Sequence, residues 1–489
     1  SSAGDCDFAA SNFTVDGKYG LVFVPRYQNS VSFKVQLGKD VGNELVVDAA
    51  QPTTATLAAG QNARYTFNGV TGKNLQLLLT NNTLDDGNTG TNNYTYVYVY
   101  KPDGNYLTST YQYTSERSGT LLTLPTLPVD GVYTVLVNPD NLDEGQIKLH
   151  LRSANNGTAL PTDASVTSVN VADQELGYYS FTGVAGRGYG LAVKDLVLTP
   201  GVNSPSLSAY LYKPDGTYVA SCSFSSAGDC DFAASYFTMD GNYGLVFVPR
   251  YQNSVSFKVQ LGKDVGNELV VDAAQPTTAT LAAGQNARYT FNGVAGKNLQ
   301  LLVTNNALDD GDSGTNNYTY VYVYKPDGNY LTSTYQYTSD RSGFLISLPA
   351  LPVSGTYTVY VAPDNLDAGQ IKLHVRTANS GAALQTDGTA QAANVANQEL
   401  GYYRFAGVTG KAYTVVLKDL VFTPGTNSPN VTAYLYKLDG SNVTSCTLYT
   451  SQSSCEFGAS YITANGDYGL VFVPKFQNSA QFNATVTAH

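Results

Sequence analysis

The stretch Tyr94-Thr95-Tyr96-Val97-Tyr98-Val99-Tyr100 runs straight into Lys101-Pro102-Asp103-Gly104. Alternation of aromatic with β-branched residues has the period of a strand, whose successive side chains point to opposite faces. Proline at the second turn position presets φ and glycine at the fourth relieves crowding, so the tetrapeptide reads as a hairpin corner. Thr95, Val97 and Val99 share one face, which suits a core. Tyr94, Tyr96, Tyr98 and Tyr100 share the other, which suits contact with a neighbouring module, another chain or a sugar, since tyrosine combines apolar area with a hydroxyl; the alternative is a ladder that faces inward or only stabilises cross-strand pairs.

The corner returns as Lys213-Pro214-Asp215-Gly216, Lys325-Pro326-Asp327-Gly328 and Lys437-Leu438-Asp439-Gly440, each 112 residues after the last. Copies two apart are nearly the same text, whereas neighbours are only distantly alike, so the period defines an alternating A-B-A-B array. The tyrosine strand recurs as Tyr318, Tyr320, Tyr322 and Tyr324, and its B counterpart carries Tyr210 and Tyr212 opposite Ala209 and Leu211. The expected modules are 39–155 and 263–379 (A) and 156–262 and 380–489 (B), with 1–38 as the last third of a further B module. Its missing partner strands point to an excerpt from a longer array, because alone it would expose unpaired strand edges.

Gly-x-Tyr before an apolar run, at Gly17, Gly131, Gly241, Gly355 and Gly466, marks the penultimate strand of each module. An aromatic strand followed by Gly-x-x-Gly recurs at Tyr65–Gly72 and Tyr179–Gly186. No segment has a helical apolar period. Many short strands with frequent turn signals define an all-β chain, a tandem array of jelly-roll or β-sandwich domains of about 110 residues.

These motifs, with a last strand such as Gly145-Gln146-Ile147-Lys148-Leu149-His150-Leu151, resemble the bacterial pre-peptidase C-terminal (PPC) domain. The resemblance covers each of the four modules. It implies compact extracellular jelly rolls, appended to secreted peptidases or strung along surface proteins, some binding calcium or a polymer such as collagen. This chain departs from that setting by containing no peptidase.

Lys and Arg total 27 against 38 Asp and Glu, so no basic stripe exists to neutralise phosphates, and nucleic acid is excluded as a partner. Apolar runs are of strand length, which leaves no transmembrane helix. Cys222 and Cys230 occupy the places in the first full B module that Cys446 and Cys455 occupy in the second. Two local disulfides are the natural reading, with reduced buried thiols as the alternative, and disulfides imply an oxidising, extracytoplasmic setting. Cys6 corresponds to Cys230 and has no mate in the chain.

Catalysis finds no constellation to work with. His150 and His374 hold the same position in two A strands and read as part of a solvated face, and no Gly-x-Ser-x-Gly elbow or phosphate loop is present. No cofactor is required. Calcium, which seeks clustered oxygen ligands, is the candidate ion for Asp85, Asp86, Asp309, Asp310 and Asp312 in the loops before the tyrosine strands. The expected function is a non-catalytic extracellular structural repeat protein, self-associating into a fibre, stalk or surface layer. The alternative is an adhesin or the substrate-binding tail of a secreted hydrolase, gripping polysaccharide or protein.

Overall fold

The computed structural model describes residues 4–87, 94–113, 116–140, 142–201, 204–311, 318–337, 340–451 and 453–489. Asp312 lies outside them. Eight strands build the first A module: β1 (Thr53–Leu57), β2 (Ala63–Gly69), β3 (Leu75–Thr80), β4 (Tyr94–Tyr100), β5 (Tyr106–Tyr113), β6 (Thr120–Thr123), β7 (Gly131–Pro139) and β8 (Gly145–Ser153). They pair antiparallel in two sheets, β1-β8-β3-β6 and β2-β7-β4-β5. That interleaved order is a jelly roll.

The alternation legible in β4 becomes burial. Thr95, Val97 and Val99 are fully buried, while the four tyrosines are half-buried on the other face. The corner forms as the residues dictate. Gly104 takes φ +81°, its N–H donates to the Lys101 carbonyl, and Asp103 accepts from the Asn105 N–H. Between the sheets lies a core that includes Phe67, Leu77, Tyr133, Val135 and Ile147. Three equivalent cores occupy residues 160–261, 269–375 and 384–486.

Both B modules repeat the order, with a short parallel segment added beside the strands Gly177–Gly183 and Gly401–Gly407. In each, the disulfide Cys222–Cys230 or Cys446–Cys455 ties the two sheets at their edge strands.

Residues 4–38 depart from the strand expectation. Among them only a 3-10 turn, Ala10–Asn12, forms, and Gly17–Pro25 is not a strand although its text recurs as the core strand Gly241–Pro249. Phe23 is 49% exposed, whereas its counterpart Phe247 is fully buried. The reason is the lack of sheet partners. Phe247 sits between Gly177 and Ala209 on flanking strands, whereas Phe23 has no strand on either side among the described residues. Cys6 is free and exposed.

Candidate functional site: the module joints and the tyrosine face

At the A-to-B joint, β3 and β6 turn Leu78 and Leu121 outward onto Tyr178, Tyr212, Val246 and Val248 of the next module, closing a small shared core. Consecutive leucines in Leu75-Gln76-Leu77-Leu78-Leu79 are the sequence sign of a strand covered on both faces. Gln76, fully buried, is the polar centre. Its Oε1 accepts from the Tyr178 hydroxyl at 2.6 Å and from the Asn155 N–H at 3.0 Å. The Asn155 amide in turn donates to the Lys213 carbonyl at 2.6 Å and the Asn242 carbonyl at 2.9 Å. Burial pushes the Tyr178 hydroxyl up to about 12, against the opposing pull of Arg152, which lies 5.3 Å from its ring.

The second A-to-B joint repeats these contacts. Tyr402 donates to Gln300 at 2.7 Å, and Asn379 donates to the Lys437 and Asp467 carbonyls at 2.7 and 3.0 Å. Glu399 holds both Asn305 and Lys372, as Glu175 holds Asn81 and Lys148. The corner of each B module is part of this joint, since Gly216 and Gly440 accept from Thr123 and Ser347.

The B-to-A joint has a different chemistry. The B strand Gly228–Phe232 presents Asp229 and Asp231, and Asp231 accepts from Asn286 at 2.5 Å and lies near the Tyr360 hydroxyl. Arg288 pairs with Asp264 at 3.2 Å and stands 4.5 Å from the Tyr360 ring. Burial first, then the like charges of Asp231, Asp364 and Asp367, pushes the Asp229 carboxyl up to about 7. Burial also raises Asp231 and Asp264, against the hydrogen bonds and charge that hold them ionised. One contact is closest of all: Gly190 meets the Gly284 carbonyl, and a Cβ at Gly190 would fall on that oxygen.

Residues 4–40 carry the same joint text and dock it on the first A module. Asp7 accepts from Asn62 at 2.9 Å, Arg64 pairs with Asp40 at 3.0 Å, and Gln61 donates to the Lys39 carbonyl at 2.6 Å.

On β4 the rings of Tyr94, Tyr96, Tyr98 and Tyr100 follow each other at 5.6, 6.0 and 6.3 Å between centroids. Tyr111 and Tyr113 of β5 extend the surface. In the second A module Tyr318, Tyr320, Tyr322 and Tyr324 stack likewise, joined by Tyr335, Tyr337 and Tyr360. Tyr111 and Tyr335 remain about half exposed, at 48% and 51%. The B tyrosines differ, because Tyr212 is buried in the joint.

Asp309, Asp310 and Asp367 bring carboxylate oxygens within 4.8 Å of one another. Asp309 is ion-paired with Arg341, and Asp85 with Arg117 in the other A module. Asp86 lies in the equivalent loop. His150 and His374 are half-buried rather than on an open face. His150 and His374 each lie 2.7 Å from a backbone carbonyl, of Ala49 and Ala273, tying the segment before β1 and its repeat to the last strand.

Sequence reasoning missed Gln76, Asn155 and Gly190. Gln76 carried a signal, a lone amide in an apolar strand, whereas Gly190 has meaning only beside the carbonyl it meets.

No protein-family model matches the chain, and no curated protein does. Among solved structures it is similar to tripeptidyl peptidase 2 (9% identity, 86% of this chain and 32% of that chain, TM-score 0.17). It is also similar to the CUB1-EGF-CUB2 domains of rat MASP-1 (9%, 69% and 99%, TM-score 0.15). A third is an M60 catalytic domain with two CBM51 domains from Clostridium perfringens ZmpB (7%, 91% and 55%, TM-score 0.13). The chain spans about a third of the peptidase's length. Likeness this distant carries no functional argument.

Proposed function

We propose that the chain is a non-catalytic, extracellular structural repeat protein whose PPC-like modules stack into a stiff element of a fibre, stalk or surface layer. The observation that carries this reading is the exact repetition of joints: Tyr178 on Gln76 and Tyr402 on Gln300 fix the same geometry twice. A unit that reproduces its own joint adds length at constant orientation. The disulfides are compatible with an oxidising compartment. Among the described residues the A-to-B connection leaves no slack tether, because Asn155 itself bonds to both modules. The tyrosine faces of the A modules are the surfaces for lateral self-association. No metal is required in this reading; at the Asp309 loop Arg341 pairs with one of the three gathered carboxylates.

Small-angle scattering and electron microscopy of the purified chain test it. The expected result is a rod of modules at regular spacing that chelator leaves unchanged and that gathers side by side at high concentration. A chain flexing freely at Asn155 would defeat it. The exposed rings of Tyr111 and Tyr335 favour the second reading, an adhesin or hydrolase tail; capture of the chain on insoluble glycan or collagen, lost on Tyr111→Ala with Tyr335→Ala, would select that instead.

A further inference from the structure

The two B modules present different outer faces on the sheet that meets the next A module. In the first, Gly190 pairs across strands with Asp231 and Gly262, and Ala192 pairs with Asp229 and Gln260. These rows are flat, and Gly190, Ala192 and Gly262 are buried against the following module. A Cβ on Gly284 would come within 2.8 Å of the Ala192 Cβ, and one on Gly262 within 3.2 Å of the Gln285 side chain. The contact therefore depends on small residues from both sides.

In the second B module the same rows read Glu456-Thr414-Thr487 and Ser454-Val416-Thr485. Gly190 has become Thr414, Ala192 has become Val416, and Gly262 has become Thr487. His489 stands in the place of Asp264, and its Nε2 lies 2.7 Å from the Thr414 hydroxyl. Each of these three small-residue positions now carries a β-branched side chain. The acceptor side shows no such change. Gly60, Gln61, Asn62 and Arg64 of the first A module repeat Gly284, Gln285, Asn286 and Arg288, and they already meet B-type residues at Asp5, Asp7, Gly38 and Asp40.

We infer that the outer face of the second B module, centred on Thr414, is a cap that refuses an A-type module, while the Gly60 face of the first A module is an acceptor for B-type modules with small residues in the Gly190 row. The array is thus directional. Its joints form only where a Gly190-type row meets a Gly284-type turn, and Thr414 closes that mode of growth, as polar or altered terminal repeats do in solenoids. The inference stands on the faces themselves and holds whether the rod serves as fibre or as binding tail.

The test writes the cap into the internal joint of the full chain, as Gly190→Thr with Ala192→Val. The second B module folds with these residues, so the first is expected to keep exchange protection in its core strand Gly241–Pro249. Hydrogen exchange across residues 282–288 is expected to rise at least tenfold, with scattering showing a new point of flexion between the second and third full modules. Wild-type protection at 282–288 would overturn the inference. Should Gly241–Pro249 lose protection too, Gly190→Ala places a single methyl at the same point, and a joint that stays closed in that variant would overturn it equally.

Discussion

The Tyr178 hydroxyl donates to Gln76 Oε1 at 2.6 Å across the boundary between two modules, inside a ring of leucine and valine side chains. The Asn155 N–H shares the same acceptor. Removing Gln76 leaves both donors in a dry setting, where each unmet hydrogen bond costs about 1–3 kcal/mol. Gln76→Ala is therefore expected to destabilise the first A–B pair by about 2–4 kcal/mol in urea unfolding. Tyr178→Phe, which frees only one partner, is expected to cost about 1 kcal/mol.

The disulfides close short loops, with sequence separations of 8 and 9. Chain-entropy arguments assign such a loop about 2–3 kcal/mol. Reduction is expected to lower the melting of both B modules and leave the A modules, which have no cysteine, at their original transition. Calorimetry with and without reductant reads this directly. Cys222→Ala with Cys230→Ala should reproduce the loss in the first B module alone.

Acid should tighten the B-to-A joint. Asp229 in the docked joint titrates near 7, against 3.8 for a free carboxyl, so the docked state binds the proton more strongly and the undocked state releases it first. Below about pH 4 both states are protonated. Between 4 and 7 docking weakens as pH rises, and above 7 the penalty is constant. A three-unit shift carries about 4 kcal/mol; solvent screening at this half-buried site leaves about 1–2 kcal/mol. Asp229→Asn is expected to reduce that slope, leaving the share that the raised Asp231 and Asp264 carry in the same sense, and to raise stability at pH 8, measured by exchange at residues 282–288 across the pH series.

Much of the fold was legible because alternation and turn chemistry are local. Tyr94–Gly104 specifies strand, face and corner from its own residues, and the structure places each where that text requires. Residues 17–25 show the limit of local reading. They repeat 241–249 almost letter for letter, yet form no strand among the described residues, because a strand is completed by partners and Phe23 has none. The joints were hidden for the same reason. Tyr212 and Tyr100 stand at the same place, directly before the Lys-Pro-Asp-Gly corner, but only Tyr212 meets Leu78 of a neighbouring module. Disulfide pairing was open to inspection through the matching places of the cysteines, whereas the carbonyl of Gly284 that makes Gly190 necessary lies 94 residues away in the chain.

Alternating an apolar joint with a carboxylate-rich one has a mechanical consequence. Under tension along the proposed rod, the joint around Asp229 and Arg288 is the one to part first, because water can solvate its charges as they separate, whereas the leucine contact around Gln76 must expose dry surface before it yields. Extension would then proceed in steps of one A–B pair, each pair moving as a rigid link, and the load at which the links part would be set by the acidity of the surroundings.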